Sequence, residues 1–240
     1  MEIFSSANTQ LLVEFALRWM HLFFGVIWIG HLYYFNFTQG SFLNAQDVDN
    51  SAKSALRMKL LPVALWWFRW GAMWTLVTGL AYWSYKGHSF GSMAAYLNSS
   101  YGILITVGAV LGITMWANVW FVIWPNQKVV IENATLVAAG KPALPQAADA
   151  GARANVASRT NTLFSIPMLF FMGAASHFPL PVKSESNLTL FWMLFAILFA
   201  AIEFNALKGK TYKVMTTVQQ VITSGFVLTA IIFAFILFTI

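Results

Sequence analysis

A run of 28 residues from Trp19 to Gln46 contains no Asp, Glu, Lys or Arg, yet it carries His21 and His31. A helix of about 20 such residues is long enough to span the hydrocarbon core of a bilayer. A polar side chain inside such a helix is energetically costly and commonly has a functional role. The run therefore predicts a membrane protein whose few polar residues at membrane depth are the first candidates for a functional site.

The composition of the whole chain agrees with this prediction. Hydrophobic residues make up 59% of the sequence and charged residues only 9%, against about 25% charged residues in soluble domains. The absence of cysteine excludes disulfides, iron–sulfur clusters, thiolate zinc sites and attached c-type haem. The basic residues lie in short loops and form no basic face with interleaved aromatic residues, so a nucleic-acid partner is not expected.

Apolar runs separated by loop signals predict an all-α fold, a polytopic bundle of about six transmembrane helices. The predicted spans are 15–38, 60–85, 102–125, 160–180, 187–206 and 214–239. No internal repeat is evident, and residues 1–240 are interpreted as one transmembrane domain. Segment 126–158 is the one long connection, and its alanines, small polar residues and two prolines predict a short surface helix with a flexible stretch.

The distribution of Lys and Arg predicts the orientation of the spans. The loops after the first, third and fifth spans hold ten of these residues: Lys53, Arg57, Lys59, Lys128, Lys141, Arg153, Arg159, Lys208, Lys210 and Lys213. The loops on the other side hold only Lys86 and Lys183. The first group is therefore predicted to be cytoplasmic. Both termini then face the periplasmic side of a bacterial inner membrane.

Five residues of the first span share one helical face, because the spacing of Glu14, Arg18, His21, Gly25 and Trp28 alternates between four and three. Glu14 and Arg18 are four residues apart and can form an ion pair that anchors the helix at the interface. His21 lies one turn deeper among aromatic and aliphatic residues. Its imidazole can hydrogen-bond a carbonyl, or it can ligate haem iron through a neutral nitrogen.

A second histidine, His177, lies near the outward end of the fourth span, at a depth that matches His21. Two histidines at one depth on different helices can hold a b-type haem between them. His31 lies about 15 Å deeper than His21 and is turned about 80° away, so it is not expected to share that site. His88 is interpreted as a solvated residue of an outer loop.

Arg69 lies within the second span among tryptophans, and an arginine at that depth needs a partner. Its candidate partners are a haem propionate, a substrate anion, Glu203 or a backbone carbonyl. A further polar group is predicted toward the cytoplasmic side: His31, Asn118, Glu203, Asn205, Gln219 and Gln220. These residues are typical of interhelical hydrogen bonding, and a quinone pocket, a proton path or a second cofactor site are the functional alternatives.

Four segments in order over roughly residues 11–180 carry a family resemblance. They are Arg18-Trp19-Met20-His21 with Gly25–Gly30 and Tyr33–Phe35; Phe68-Arg69-Trp70 with Thr75 and Gly79; Asn118–Phe121 with Ile123–Pro125, Gln127 and Lys128; and Ser158–Asn161 with Pro167, Phe170, Met172 and His177–Pro179. Together they resemble the membrane domain of the bacterial membrane-bound urate hydroxylase family, whose membrane part is also described as the urate oxidase N-terminal domain.

This resemblance implies an oxidative role in purine breakdown. Longer relatives carry a cytochrome c domain after the membrane part, which implies that electrons leave toward the periplasm. This sequence has no Cys-x-x-Cys-His motif. The resemblance therefore implies either that a separate cytochrome c accepts the electrons or that the chain is an electron-transfer or accessory subunit of another complex.

The leading hypothesis is a membrane redox protein that resembles urate hydroxylase and binds haem b through His21 and His177. In this hypothesis Arg18 and Arg69 meet haem propionates or a substrate anion, and electrons pass from urate or another donor to a periplasmic cytochrome c. No catalytic residue is identified. The alternatives are a non-enzymatic accessory or assembly subunit of a larger respiratory or oxidative complex, and a transporter that uses the deeper polar group.

Overall fold

The computed structural model describes residues 6–182, 186–210 and 212–240, apart from the side chains of residues 6 and 7. Throughout these residues the chain is helical or in short connections and contains no β-strand. The all-α prediction is therefore confirmed. Lys183, which the orientation prediction counts on the outer side, lies outside the described residues.

The described α-helices are α1 Ser6–Tyr33, α2 Gly40–Asn44, α3 Asn50–Ala55, α4 Leu61–His88, α5 Met93–Asn98, α6 Ser100–Ala117, α7 Trp124–Ala138, α8 Ala147–His177, α9 Leu188–Lys208 and α10 Val218–Thr239. Three π-helical segments continue the helices between them: Tyr34–Gln39, Leu56–Leu60 and Asn118–Ile123. A 3₁₀ turn, Lys213–Met215, precedes α10.

A long helix lies at each predicted span. Four described helices are long and apolar enough to cross a membrane: Asn8–Asn44, Ser100–Ala138, Leu188–Lys208 and Val218–Thr239. The chain is therefore a membrane protein. Helices α4 and α8, with 28 and 31 residues, have the length to cross but carry more polar residues. The total of six crossings and the outward position of both termini stay predictions.

The connection predicted at 126–158 is helical at both ends. Pro125 lies at the first turn of α7, where proline fits because its missing N–H needs no partner. Helix α7 then runs to Ala138, and Gly140 follows in the left-handed conformation (φ 72°) that commonly ends a helix. Since α8 begins at Ala147, the break in the helical chain spans only residues 139–146. Hydropathy therefore ended the third predicted span at residue 125, before α7 ends at Ala138, and began the fourth at residue 160, after α8 begins at Ala147.

Helix α8 lies at the centre of the bundle, in contact with α6, α7, α9, α10 and α1. Its middle turns bury four polar side chains almost completely: Thr160, Asn161, Thr162 and Ser165. A helix enclosed by protein can carry such residues because its neighbours satisfy their hydrogen bonds. The central position of α8 therefore explains why it is less apolar than the outer helices.

Helices α1 and α4 form an antiparallel pair that packs along most of its length. Gly71 permits a close approach of the two helices, since a Cβ atom at this position would lie 3.0 Å from Ile27 Cγ2 and 3.1 Å from the backbone nitrogen of Trp28. The side of the pair that faces away from the bundle is apolar. Phe15, Trp19 and Val26 are 68%, 59% and 73% exposed, which indicates a lipid-facing surface.

Candidate functional site

The polar face predicted on α1 lies against α4, where it forms a series of side-chain contacts that we call the α1–α4 seam. Its members on α1 are Glu14, Arg18 and His21, as the spacing predicts. Lys86 Nζ lies 3.1 Å from Glu14 Oε1. The Arg18 guanidinium donates to the hydroxyl of Tyr82 at 2.6 Å and lies 5.3 Å from the centre of the Tyr82 ring.

The imidazole of His21 is held by two features of α4. Its Nδ1 lies 2.9 Å from the carbonyl oxygen of Thr75. Because a carbonyl only accepts, Nδ1 must carry the proton, and Nε2 of the neutral ring is left with a free lone pair. The ring rests on Gly79, where a Cβ atom would come within 2.7 Å of His21 Cε1. Gly79 therefore makes the space that the imidazole occupies.

Among the described residues, Glu14 and Arg18 do not form the ion pair that the sequence suggested. Glu14 pairs with Lys86, and Arg18 is bound by Tyr82. The i,i+4 rule identifies neighbours on one helix, whereas the register of α1 against α4 brings a basic residue of the other helix closer. Tyr82 and Lys86 were missed because a partner on a second helix is visible only once that register is known.

Breaking the Glu14–Lys86 pair is expected to have a small effect. The two side chains are 14% and 25% exposed, and ion pairs with solvent access contribute about 0–1 kcal/mol. Glu14→Gln should therefore lower the free energy of unfolding in mixed micelles by less than about 1 kcal/mol, and by less still at high salt. A loss well above that value would show that the pair anchors the seam.

His177 is the last residue of α8, its side chain is exposed, and it has no hydrogen-bond partner in the part of the chain that the structure describes. The hydrogen bond between Tyr33 Oη and Ser165 Oγ, at 2.9 Å, joins α1 to α8 and so gives a common reference point for the positions of His21 and His177. His21 precedes Tyr33 by twelve residues and His177 follows Ser165 by twelve, so each lies about 18 Å along its helix from this bond. The structure records no contact between the two histidines.

The C-terminal end of α8 lies beside α6, whose first turn adjoins the seam. The backbone N–H of Leu180 donates to Ser100 Oγ at 2.6 Å. The neighbouring Tyr101 interacts with Tyr82 and with Arg18. A continuous set of contacts therefore joins the seam to the segment that follows His177.

Arg69 lies apart from Arg18. Its guanidinium carbon stands 3.5 Å from the centre of the Trp124 ring and 5.5 Å from that of Trp120, and its Nε donates to the Leu65 carbonyl at 3.2 Å. Of the partners considered from sequence, the structure thus provides the carbonyl, and no described carboxylate lies within ion-pair distance. Since Arg69 and Tyr82 are 13 residues apart on α4, about 20 Å separates the two arginines along the helix.

A buried polar network lies at the centre of the bundle. The Asn118 amide donates to Asn161 Oδ1 at 3.1 Å and to Glu203 Oε2 at 3.2 Å. The Asn161 amide donates to the Met115 carbonyl at 2.9 Å. These contacts join α6 and the following π segment to α8 and α9, which is the interhelical hydrogen bonding expected for this group.

The other members of the predicted deeper group lie elsewhere. Asn205 accepts from the backbone N–H of Lys210 just after α9. Gln220 and Thr217 form a capping box at the start of α10, and Gln219 is exposed. His31 donates from Nδ1 to the Ile27 carbonyl at 2.7 Å on α1. The structure therefore brings together only Asn118 and Glu203 of these six residues.

The segments that carried the family resemblance meet each other in the fold. Arg18 and His21 contact the helix that bears Thr75 and Gly79, and Asn118 contacts Asn161. Among the described residues no cluster of three or more His, Asp or Glu side chains could hold a metal ion by itself.

A family model described as Urate oxidase N-terminal matches residues 88–236, more than half of the 240 residues. The chain belongs to this family. The residues matched to the urate oxidase N-terminal family include Asn118, Asn161 and His177, whereas the seam residues of α1 and α4, with Arg69, precede them. No curated protein and no solved structure matched the chain.

Proposed function

We propose that this protein is an oxidoreductase of the bacterial inner membrane that binds haem b and passes electrons from urate to a periplasmic cytochrome c. Membership of the urate oxidase N-terminal family supports urate as the donor. The observation that carries the haem proposal is the setting of His21, whose Nδ1 is bonded to the Thr75 carbonyl. This leaves Nε2 as the free nitrogen, the arrangement usual for a metal-ligating histidine.

His21 fits the role of a haem ligand on one further count. Gly79 leaves open the volume in which the His21 ring sits, and the bond to Thr75 fixes its tautomer and orientation. His177, at equal helical distance from the Tyr33–Ser165 bond, is the proposed second ligand. A haem held by these residues would supply one-electron chemistry, with a potential tuned by the ligating side chains and the apolar surroundings.

The two arginines take different roles in this proposal. Arg18 lies one turn from His21, so its guanidinium is placed to meet a propionate while Tyr82 holds it. Arg69 lies on the side of the bundle predicted to be cytoplasmic, with its charge unpaired by any described carboxylate. Its planar guanidinium, stacked on Trp124, is the proposed contact for the urate anion, since arginine binds planar anions well.

The test of the haem proposal is a reduced-minus-oxidised visible spectrum of the purified protein. We expect a b-type band that is lost in His21→Ala and in His177→Ala. His88→Ala is the matched control, because His88 is exposed at the end of α4, and it should keep the band. A folded wild-type protein without a haem band, prepared with haem supplied during expression, would contradict the proposal and favour the accessory-subunit alternative.

Arg69→Gln is expected to raise the urate KM by about tenfold or more, because a charge-assisted contact contributes about 1.5–3 kcal/mol. Arg69→Lys should recover only part of this loss, since lysine keeps the charge but not the stacked plane. Arg153→Gln is the control, as Arg153 is exposed on α8. The urate KM of all three variants is measured from the steady-state rate at which urate reduces cytochrome c. An unchanged KM in Arg69→Gln would exclude the assigned contact between Arg69 and urate.

A further inference from the structure

A cleft opens between α1 and the start of α4, on the side of Gly71 that is predicted to be cytoplasmic. Its volume is about 620 Å³, within the range of about 300–1,000 Å³ typical of small-molecule sites. Nine residues line it: Val26, Ile27, Gly30, His31, Tyr34, Leu60, Val63, Ala64 and Trp67. Val26 and Val63 are 73% and 57% exposed, so the cleft opens on the side of the pair that faces the bilayer.

Two polar side chains, His31 and Tyr34, line this otherwise apolar cleft. His31 donates from Nδ1 to the Ile27 carbonyl, so Nε2 of the neutral ring carries the free lone pair. In the part of the chain that the structure describes, neither this nitrogen nor the hydroxyl of Tyr34 has a hydrogen-bond partner. A histidine in a lipid-facing position is costly unless it finds one. The cleft therefore suits a ligand that brings its own polar atoms.

The charge of the lining restricts what that ligand is. None of the nine residues is Lys, Arg, Asp or Glu, so a carboxylate-bearing haem or a urate anion would find no counter-charge here. A plain acyl chain would leave both polar groups unpaired. The ligand should be neutral, flat enough to lie against Trp67, apolar over most of its surface, and able to donate and accept hydrogen bonds at its polar end.

We propose that this cleft binds the headgroup of a membrane quinone or quinol. The Tyr34 hydroxyl donates to a quinone carbonyl, and Nε2 of His31 accepts from a quinol hydroxyl. The isoprenoid tail leaves through the side open to lipid. This site is separate from the proposed haem site, since His31 lies about 15 Å along α1 from His21, and it requires neither haem nor urate to be occupied.

The test uses ubiquinone-1 as the probe and tryptophan fluorescence quenching as the readout, in purified full-length protein without urate. Quenching should be saturable in the wild type, and Trp67→Phe should remove the saturable part. Gly30→Leu should weaken binding about tenfold or more by filling the cleft. A Cβ at Gly30 meets no atom within 4 Å, and helix propensity favours the change, so this variant should fold.

Two further variants sharpen the result. Gly173→Leu is the matched control, because a Cβ there also meets no atom within 4 Å and Gly173 lies on α8; it should bind as the wild type does. Tyr34→Phe should weaken binding about fivefold, as expected for the loss of one hydrogen bond.

Three outcomes would overturn the proposal. The first is quenching that rises linearly without saturation, or that is equal in Gly30→Leu and the wild type. The second is displacement of ubiquinone-1 by decanol at equal concentration, which would identify the cleft as a groove for lipid chains. The third is a haem band that His31→Ala abolishes and His21→Ala preserves. The first two results depend on neither urate nor haem, so they are distinct from a failure of the proposed function. The third would overturn both the quinone site and the assignment of His21 as a haem ligand.

Discussion

Gly79→Ala is expected to expel the imidazole of His21 from its position on α4. The new methyl group would stand 2.7 Å from Cε1 and 2.9 Å from Nδ1 of His21, closer than non-bonded atoms approach, so the ring must rotate away and lose its bond to the Thr75 carbonyl. If His21 ligates haem, haem content should fall by about tenfold or more, the usual cost of removing the group that orients a metal-ligating histidine.

This prediction has a readout that does not depend on haem. The chain contains four histidines, so ¹⁵N-histidine labelling gives a spectrum simple enough to assign by substitution. In haem-free wild-type protein His21 should give the signal of a ring protonated and hydrogen-bonded at Nδ1, and Gly79→Ala should lose it. Gly173→Ala, where the added Cβ meets no atom within 4 Å, should leave it in place. An unshifted His21 signal in Gly79→Ala would refute the packing described here.

Asn161→Leu is expected to be the most destabilising of the polar substitutions. Asn161 is fully buried and joins the Met115 carbonyl on α6 to the amide of Asn118. Leucine removes both bonds and leaves those groups short of a partner inside the bundle, which costs about 1–3 kcal/mol for each unsatisfied group. Because hydrogen bonds between membrane helices average only about 0.6 kcal/mol, we expect a net loss of about 2–3 kcal/mol.

Unfolding by SDS in mixed micelles, followed by tryptophan fluorescence, measures this loss. Asn126→Leu is the matched control, because among the described residues the Asn126 side chain donates only to the Val122 carbonyl, four residues earlier on the same continuous helix. It should change the unfolding free energy by less than about 0.5 kcal/mol, as surface substitutions usually do. Equal stability of Asn161→Leu and Asn126→Leu would mean that the central network contributes nothing to folding.

Features that depend on local periodicity were predictable from the sequence. The apolar runs identified the helices, and the four-three spacing identified the face of α1 that meets α4. The segments that carried the family resemblance also proved to be in contact, since His21 and Asn118 each hydrogen-bond to a residue of another such segment.

Features that depend on the register between helices were not predictable. Glu14 binds Lys86 and Arg18 binds Tyr82, 72 and 64 residues away along the chain. The cleft beside His31 is lined by residues of two segments, and the periodicity of a single helix cannot predict it. The C-terminal end of α7 and the N-terminal end of α8 were missed for a different reason. Hydropathy identifies only the apolar part of a helix, whereas Gly140 and the prolines that follow it determine where the helical backbone is interrupted.

The continuous helix Ser100–Ala138 has a consequence for how the protein sits in its membrane. Its 39 residues rise about 58 Å, nearly twice the hydrocarbon thickness of about 30 Å. If it crosses the bilayer near the normal, a helix of this length must extend beyond the hydrocarbon core on at least one side. The positions at which it leaves the core then define how deeply the protein is inserted. The chain has no native cysteine, so spin labels can be attached to single cysteines introduced at successive positions from Val110→Cys to Val137→Cys. The accessibility of each label to lipid-soluble and water-soluble relaxation agents would locate the boundary between lipid and water along the helix.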